Sequence, residues 1–257
     1  MTPAPTTEQA YLDLDGVHTY HEVTGTGEPL VLLHGGMCTI DTFADLTAQL
    51  APAWRVHRPE RRGHGRTPDA PGPITYEVMA ADTVAYVEAL GIGPAHIVGW
   101  SDGAVIGLLV ALTRPDLVRT LVFIGNPLTA DGLPPEMQPV PDRVPIESLP
   151  PHLRDMYAAV SPDGPDHFDA VFEKLSPAWT RFPLVDMSEL EHLRAPTLIV
   201  AGDRDMLTIA HADTIRTTIP DARLAVIPGD HSLPVEKPAV LATLIHDFLA
   251  GDQASVG

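Results

Sequence analysis

The 257-residue sequence has little of several things that would each point to a particular class of protein. A single cysteine, Cys38, excludes an intrachain disulfide and any metal site built from several cysteines. Basic residues are scarce, since 16 Lys and Arg stand against 34 Asp and Glu. The formal net charge of −18 would repel phosphate backbones and anionic lipid surfaces. We therefore expect neither nucleic acid nor a membrane as a partner.

Long hydrophobic runs are also missing. No apolar stretch approaches the roughly 20 residues that cross a bilayer. The Pro- and Thr-rich beginning of the chain lacks the basic and apolar regions of a secretory signal. With 44% hydrophobic and 19% charged residues, the composition is that of an ordinary globular chain, with one large domain or a core domain and an insertion. These features predict a cytoplasmic protein that binds a small molecule, and they allow a homo-oligomer.

Short apolar runs alternate with amphipathic stretches over most of the length. The runs are typical of strands buried on both faces, and Asp15-Gly16 is typical of a hairpin turn between two early strands. Strands alternating with helices predict βαβ units, a mostly parallel sheet and right-handed crossovers. Apolar runs predict strands at 29–33, 95–98, 120–124, 197–200 and 224–227, and helical patterns cover 76–90, 101–112 and 238–249.

One segment breaks this alternation. Ten prolines fall between Pro127 and Pro165, a density that excludes regular sheet and permits only short helices. We interpret the segment as a lid inserted between two strands of a core domain. The predicted lid is 127–190, with helices at 151–160, 166–175 and 186–193, and the core is 1–126 together with 191–257.

The pentapeptide Gly99-Trp100-Ser101-Asp102-Gly103 matches G-x-S-x-G directly after an apolar strand and directly before a helix. That context predicts a nucleophile elbow, a sharp and strained turn whose flanking positions have no room for side chains. The serine hydroxyl then projects above the sheet. A serine that only caps the following helix is the alternative. We favour Ser101 as a nucleophile.

A serine hydroxyl is a weak nucleophile and needs a base. Twelve histidines compete for that role. His231 lies in a glycine-containing turn after the last predicted strand, where its ring can reach across the carboxyl edge of the sheet. His34 and His64 lie in glycine-rich loops and are interpreted as structural. The sequence therefore predicts His231 as the general base.

The imidazole in turn needs an acid that fixes its tautomer and stabilises its charged form. Two carboxylates, Asp203 and Asp205, follow the apolar run that ends at Val200. Asp203 could instead cap the next helix or pair with Arg204. Either acid gives the chain order Ser, Asp, His, which differs from the orders of the chymotrypsin and subtilisin classes.

An oxyanion hole is the fourth element that such chemistry needs. His34-Gly35-Gly36 follows a buried strand, as the loop that donates a backbone N–H should. We predict the N–H of Gly36 as one donor and the N–H of Asp102, the residue after the nucleophile, as the other. A purely turn-forming role for the glycines is the alternative.

These motifs together resemble the α/β-hydrolase superfamily over about Tyr11 to Leu249. The resemblance implies an α/β fold with a mostly parallel eight-stranded sheet flanked by helices and an inserted helical lid, and it requires no metal or organic cofactor. It also implies that Asp205, the last residue of GDxD, is the acid. The similar segments are His34-Gly35-Gly36, Arg61 to Thr67 (in which His64 and Arg66 would brace the loop), Gly99 to Gly103, Thr197 to Asp205, and Gly229-Asp230-His231.

The function implied is hydrolysis of an ester, thioester or lactone of a small molecule through an acyl-enzyme on Ser101. Carbon–carbon bond hydrolysis, perhydrolysis and acyl transfer use similar triads and remain alternatives, and a ligand-binding sensor of the same fold is an alternative of another class. Asp102 raises a further hypothesis, since GWSDG resembles a branch that includes hydrolases of amino-acid esters. Its carboxylate would then bind a substrate ammonium; otherwise it only stabilises the first turn of a helix.

Overall fold

One eight-stranded sheet organises the chain, and the computed structural model describes residues 6–253 of it. The apolar runs form its central strands because side chains on both faces are covered. In chain order the strands are β1 Thr7–Leu14, β2 Val17–Thr24, β3 Pro29–Leu33, β4 Arg55–Pro59, β5 Ala95–Trp100, β6 Val118–Ile124, β7 Thr197–Gly202 and β8 Ala222–Ile227.

The sheet is mostly parallel, as predicted. Its spatial order is β1-β2-β4-β3-β5-β6-β7-β8. Only the pairs β1–β2 and β2–β4 are antiparallel. Asp15 and Gly16 join β1 to β2 with φ angles of 48° and 85°, which is the left-handed backbone of a two-residue hairpin turn. The order places the carboxyl ends of β3, β5, β6, β7 and β8 side by side at one edge.

No apolar run predicted β4. Its sequence is RVHRP, yet His57 is 1% exposed and Arg58 is 6% exposed. Arg58 forms a short ion pair with Glu22 of β2, and His57 Nδ1 lies 3.3 Å from Tyr86 Oη. Burial of polar side chains is tolerated when they find partners. A search for apolar runs therefore misses this strand.

Helices cover both faces of the sheet, and among residues 6–253 none is long and apolar enough to cross a bilayer. The helix predicted at 76–90 is confirmed, because the Thr75 hydroxyl accepts from the Val78 amide and Gly91 ends the helix in the left-handed conformation. The helices are α1 Ala44–Leu50, α2 Tyr76–Leu90, α3 Asp102–Thr113, α4 Pro151–Val160, α5 Phe168–Thr180, α6 Ile209–Thr218, α7 Leu233–Glu236 and α8 Pro238–Gln253.

The proline-rich segment 127–190 lies between β6 and β7 and contains no strand. Its helix α4 has the predicted bounds, whereas α5 begins two residues later than predicted and runs on to Thr180. A 3₁₀ helix, Met187–His192, replaces the α-helix predicted at 186–193. Asp186 caps it by accepting from the Ser188 amide. Division of the chain into core and lid stays a prediction.

Close contact between backbones fixes where α3 sits on the sheet. A Cβ atom at Gly103 would lie 2.0 Å from the carbonyl oxygen of Leu33, and one at Gly99 would lie 2.1 Å from that of Gly103. Both positions therefore require glycine. The start of α3 thus lies directly against the ends of β3 and β5, while its apolar side chains, such as Val105 and Ile106, are completely buried.

Stability should depend on pH through His57. Burial, with smaller contributions from Arg55 and His21, lowers the pKa of His57 to about 4. Between pH 6.5 and 4 the unfolded chain binds a proton there and the folded chain does not, so the free energy of unfolding is highest above pH 6.5 and falls as the pH drops. The lowered pKa corresponds to a loss of about 3 kcal/mol in the free energy of unfolding across this pH range.

We expect His57→Gln to lose less stability than the native protein between pH 6.5 and pH 4, measured by urea denaturation across that range. His152→Gln is the matched control, because His152 is exposed. Parallel stability curves for the native protein and His57→Gln would contradict this assignment.

Candidate active site

The predicted nucleophile sits on a strained turn at the carboxyl edge of the sheet. Ser101 joins β5 to α3 with φ 56° and ψ −122°, and for a residue other than glycine such a backbone is costly. Because Gly99 and Gly103 approach each other closely, the chain joins β5 to α3 through a sharp turn. The strain raises the Ser101 hydroxyl above the sheet, where it is half-buried.

The three predicted triad residues meet at this turn. His231 Nε2 lies 3.0 Å from Ser101 Oγ, and His231 Nδ1 lies 2.8 Å from Asp205 Oδ1. In a neutral ring the Nδ1–H donates to the carboxylate, which leaves Nε2 to accept from the serine hydroxyl. The Asp205 side chain is fully buried, whereas about a third of the His231 side chain is exposed. Residues distant along the chain thus form one continuous hydrogen-bonded chain.

Asp203, the competing carboxylate, lies outside this chain. Its Oδ1 accepts from the Gly229 amide at 3.0 Å and from Arg204 Nη1 at 2.9 Å. It therefore fixes the turn that carries His231 and makes no contact with the ring. The geometry agrees with Asp205 as the acid.

Two residues without a predicted role contact the predicted acid and base. Trp100 Nε1 donates to the His231 carbonyl at 2.8 Å. Gly125 follows β6 with φ 65°, and a Cβ atom there would lie 2.7 Å from Asp205 Oδ2 and 3.4 Å from His231 Nδ1. Trp100 lies within the elbow motif, so its place in the sequence could have indicated a role near the site. Gly125 stands in no motif, and nothing in the sequence distinguishes it.

Both predicted oxyanion donors are free to bind a ligand. Within the described chain, 6–253, the N–H groups of Gly36 and Asp102 donate to no backbone or side-chain acceptor. A Cβ atom at Gly35 would lie 3.4 Å from Ser101 Cβ, so the loop passes close to the nucleophile. Gly36 itself is half-exposed. Two unpaired amides beside a nucleophile can stabilise a negatively charged oxygen.

The carboxylate of Asp102 is 2% exposed and already has donors. Tyr76 Oη donates to Oδ1 at 2.8 Å, and Trp179 Nε1 lies 3.0 Å from each carboxylate oxygen. Trp179 comes from α5, so the segment 127–190 reaches the site. Neither donor was predicted from the sequence, because neither belongs to a motif. The role of Asp102 toward a substrate ammonium stays a prediction.

His34 and His64 take positions consistent with the structural role inferred for them. Burial and the neighbouring Arg61 lower the pKa of His34 well below its usual value, and the same causes lower that of His64 to about 3. Both rings are therefore neutral near pH 7. Arg66, the other bracing residue, pairs with Glu60 at 2.9 Å and Asp41 at 3.0 Å.

No cluster of three or more potential metal ligands (His, Cys, Asp or Glu) occurs in the part of the chain that the structure describes.

Comparison with known proteins assigns the family. The model of the alpha/beta hydrolase family matches residues 30–244, so the chain belongs to that family. Human serine hydrolase BPHL is 29% identical over 266 residues, which cover 93% of this chain and 86% of that protein. The 2-hydroxymuconate semialdehyde hydrolase of Pseudomonas sp. (strain CF600) is 26% identical, and the match covers 93% of each.

A solved structure described as Est816, an N-acyl homoserine lactone degrading enzyme, superposes with a TM-score of 0.72 and 27% identity over 93% of this chain and 99% of that one. Both sequence relatives are named as hydrolases, and the solved structure shares the fold described above. The protein is therefore an α/β-hydrolase enzyme.

The two neighbouring carboxylates provide a matched test of the acid. We expect Asp205→Asn to lower kcat for an activated ester by about 10³- to 10⁴-fold, because an amide there favours the wrong imidazole tautomer. Asp203→Asn removes the same charge two residues away and should cost less than about tenfold, a loss on the scale of one hydrogen bond. Steady-state kinetics with p-nitrophenyl acetate measures both, and similar losses in the two variants would contradict the assignment.

Proposed function

We propose that this enzyme cleaves esters, thioesters or lactones of small molecules through an acyl-enzyme on Ser101. One observation carries the proposal: Asp205, His231 and Ser101 form an unbroken hydrogen-bonded chain with separations of 2.8 Å and 3.0 Å. That arrangement activates a hydroxyl for attack on a carbonyl carbon.

The reaction follows from the positions of these atoms. His231 Nε2 takes the proton of Ser101 as Oγ bonds to the acyl carbon, and the carbonyl electron pair moves to the oxygen. The N–H groups of Gly36 and Asp102 bind that oxyanion, each contributing roughly 3–4 kcal/mol. His231 then gives its proton to the departing alkoxide or thiolate. Water repeats the cycle on the acyl-enzyme, releases the acid and restores Ser101.

The relatives support a broad substrate panel. One is named for hydrolysis of 2-hydroxymuconate semialdehyde and another for degradation of an N-acyl homoserine lactone. Carbon–carbon bond cleavage, perhydrolysis and acyl transfer could use the same triad. A panel of p-nitrophenyl esters, thioesters, lactones and vinylogous diketones, each with and without peroxide or an alcohol acceptor, separates these reactions by their products.

A fluorophosphonate probe tests whether the site reacts at all. We expect rapid covalent labelling of the native protein, because the probe's tetrahedral adduct mimics the acylation transition state. Labelling should disappear in Ser101→Ala and persist in Ser232→Ala, which removes a hydroxyl beside His231. Intact-protein mass spectrometry measures the adduct. Absence of labelling in the native protein would favour a ligand-binding sensor over an enzyme of this mechanism.

We also propose that Asp102 favours amino-bearing substrates. Its buried carboxylate follows the nucleophile directly, and its Oδ2 would lie 2.4 Å from a Cβ atom at Gly36. A negative charge at the edge of the oxyanion loop would attract a nearby ammonium. Such an ammonium would have to share or replace the indole N–H of Trp179.

Asp102→Asn separates this role from simple support of the helix. We expect it to lower kcat/KM for alanine p-nitrophenyl ester at least tenfold, the scale of one charge-assisted contact, and to affect the propionate ester much less. The two substrates differ only in the amino group. Glu77→Gln, which removes an exposed charge, controls for net charge. Equal losses on both esters would eliminate the role.

A further inference from the structure

Arg61 is a buried cation without an acidic partner. Its residue is 4% exposed, and within residues 6–253 no carboxylate oxygen lies within 4.0 Å of its guanidinium. The nearby arginines differ: Arg58 pairs with Glu22, Arg62 with Asp82 and Arg66 with Glu60. Buried charges are usually paired, because desolvation is costly. An exception next to a candidate active site calls for a functional reason.

Backbone carbonyls of the oxyanion loop take the place of an acid. One guanidinium nitrogen, Nη1, donates to the carbonyl of His34, and Nη2 donates to the carbonyl of Gly35 at 2.8 Å. The backbone N–H of Arg61 donates to His34 Nε2 at 3.3 Å. His34 Nδ1 lies 2.8 Å from the Gly35 carbonyl oxygen and 3.0 Å from Arg61 Nη2. The Cys38 amide also donates to this carbonyl, at 3.3 Å. Arg61 thus holds the Gly35 carbonyl together with groups of the loop itself.

This fixed carbonyl determines where the next amide points. The Gly35–Gly36 peptide is planar and trans, so the N–H of Gly36 points away from the carbonyl that Arg61 holds. Two successive glycines would otherwise rotate freely. The loop lies close to the elbow, because a Cβ atom at Gly35 would lie 3.4 Å from Ser101 Cβ and one at Gly36 would lie 2.4 Å from Asp102 Oδ2. Holding the Gly35 carbonyl therefore fixes the direction of the Gly36 amide beside the proposed nucleophile.

We propose that Arg61 is the positioning residue of the oxyanion hole, which orients the Gly36 amide through the Gly35 carbonyl and places behind it a positive charge that no acid contacts directly. The proposal rests on the function proposed above. An oxyanion that forms beside Gly36 supplies the negative charge that Arg61 lacks in the resting enzyme. The interaction is thus stronger in the transition state than in the ground state, which is the condition for raising kcat.

The guanidinium keeps its charge under ordinary conditions. Burial lowers the pKa of Arg61 to about 10, while Asp102, Cys38 and Tyr76 act in the opposite direction. Arg61 is therefore protonated near pH 7. Asp102 attracts this cation, but its carboxylate accepts hydrogen bonds from Tyr76 and Trp179 and makes no direct contact with Arg61.

The test compares Arg61→Met with Arg61→Lys and with the control Arg62→Met. Arg62→Met breaks the ion pair with Asp82 in the same loop but touches no atom of the oxyanion hole. For each variant, kcat and KM for a p-nitrophenyl ester are measured per fluorophosphonate-titrated site, together with the inhibition constant of a trifluoromethyl ketone, whose serine adduct carries an oxyanion. Titration removes any contribution from unfolded protein.

We expect Arg61→Met to lower kcat by about 10²-fold, on the scale of losing one oxyanion donor. KM should change less than about threefold, and the ketone's affinity should fall by the same factor as kcat. Arg61→Lys keeps the charge but loses the planar fork, so its losses should be intermediate. Arg62→Met should keep kcat and ketone affinity within twofold. The pH profile of kcat/KM should not move, because Arg61 does not contact His231.

A loss of kcat in Arg61→Met without loss of ketone affinity would overturn the proposal, and so would unchanged kinetics. If Arg61→Met does not fold, Arg61→Lys decides by the same comparison of kcat with ketone affinity. A native protein that neither labels at Ser101 nor hydrolyses any ester would overturn the proposed function, and this inference with it. If the native protein reacts but the Arg61 variants have unchanged kinetics, only the inference is overturned.

Discussion

The approach of two backbones at Gly103 is the constraint on which the site depends. Because Gly103 has no side chain, the start of α3 lies directly against the carbonyl of Leu33, the last residue of β3. The proposed oxyanion loop begins at the next residue, and the proposed nucleophile stands two residues before Gly103. One contact therefore sets the distance between the attacking oxygen and the amides that would receive the oxyanion. A methyl group at position 103 would push α3 away from β3. The attacking oxygen and the amides would then move apart, and catalysis is sensitive to such displacements.

The parallel sheet supplies the remaining groups through its order. β6, β7 and β8 are successive neighbours beyond β5, so the loops after β7 and β8 extend over the same edge as the elbow. Asp205 and His231 lie in those loops. Gly125, after β6, leaves the space in which their side chains meet. A parallel arrangement is what makes this convergence possible, because every strand ends on the same side.

Much of this arrangement could be predicted from the sequence, because apolar runs mark central strands and the chemistry stands in short motifs at their ends. Ser101 and His231 were predicted in this way, whereas the choice of Asp205 over Asp203 came from the resemblance to α/β-hydrolases. β4 was missed because its buried polar side chains, His57 and Arg58, bond to residues of other elements, which no local pattern records. Tyr76 and Trp179 were missed for the same reason, since they lie 26 and 77 residues from Asp102. Local sequence specifies each element, while the partners of buried polar groups depend on the tertiary fold.

Beneath the triad lies a second layer of buried charge. Asp102 and Arg61 are both almost inaccessible, and each is held by neutral groups rather than by direct pairing with the other. Such an arrangement is unfavourable for stability, since two buried charges of opposite sign would gain most from contact. Their separation places a cation behind the proposed oxyanion loop and a carboxylate beside the proposed nucleophile. The proposed acyl transfer would use the first, and the proposed preference for amino-bearing substrates would use the second. Because Trp179 of α5 donates to Asp102, the segment between β6 and β7 would then bear on selectivity, while the sheet and its loops would provide the reacting groups.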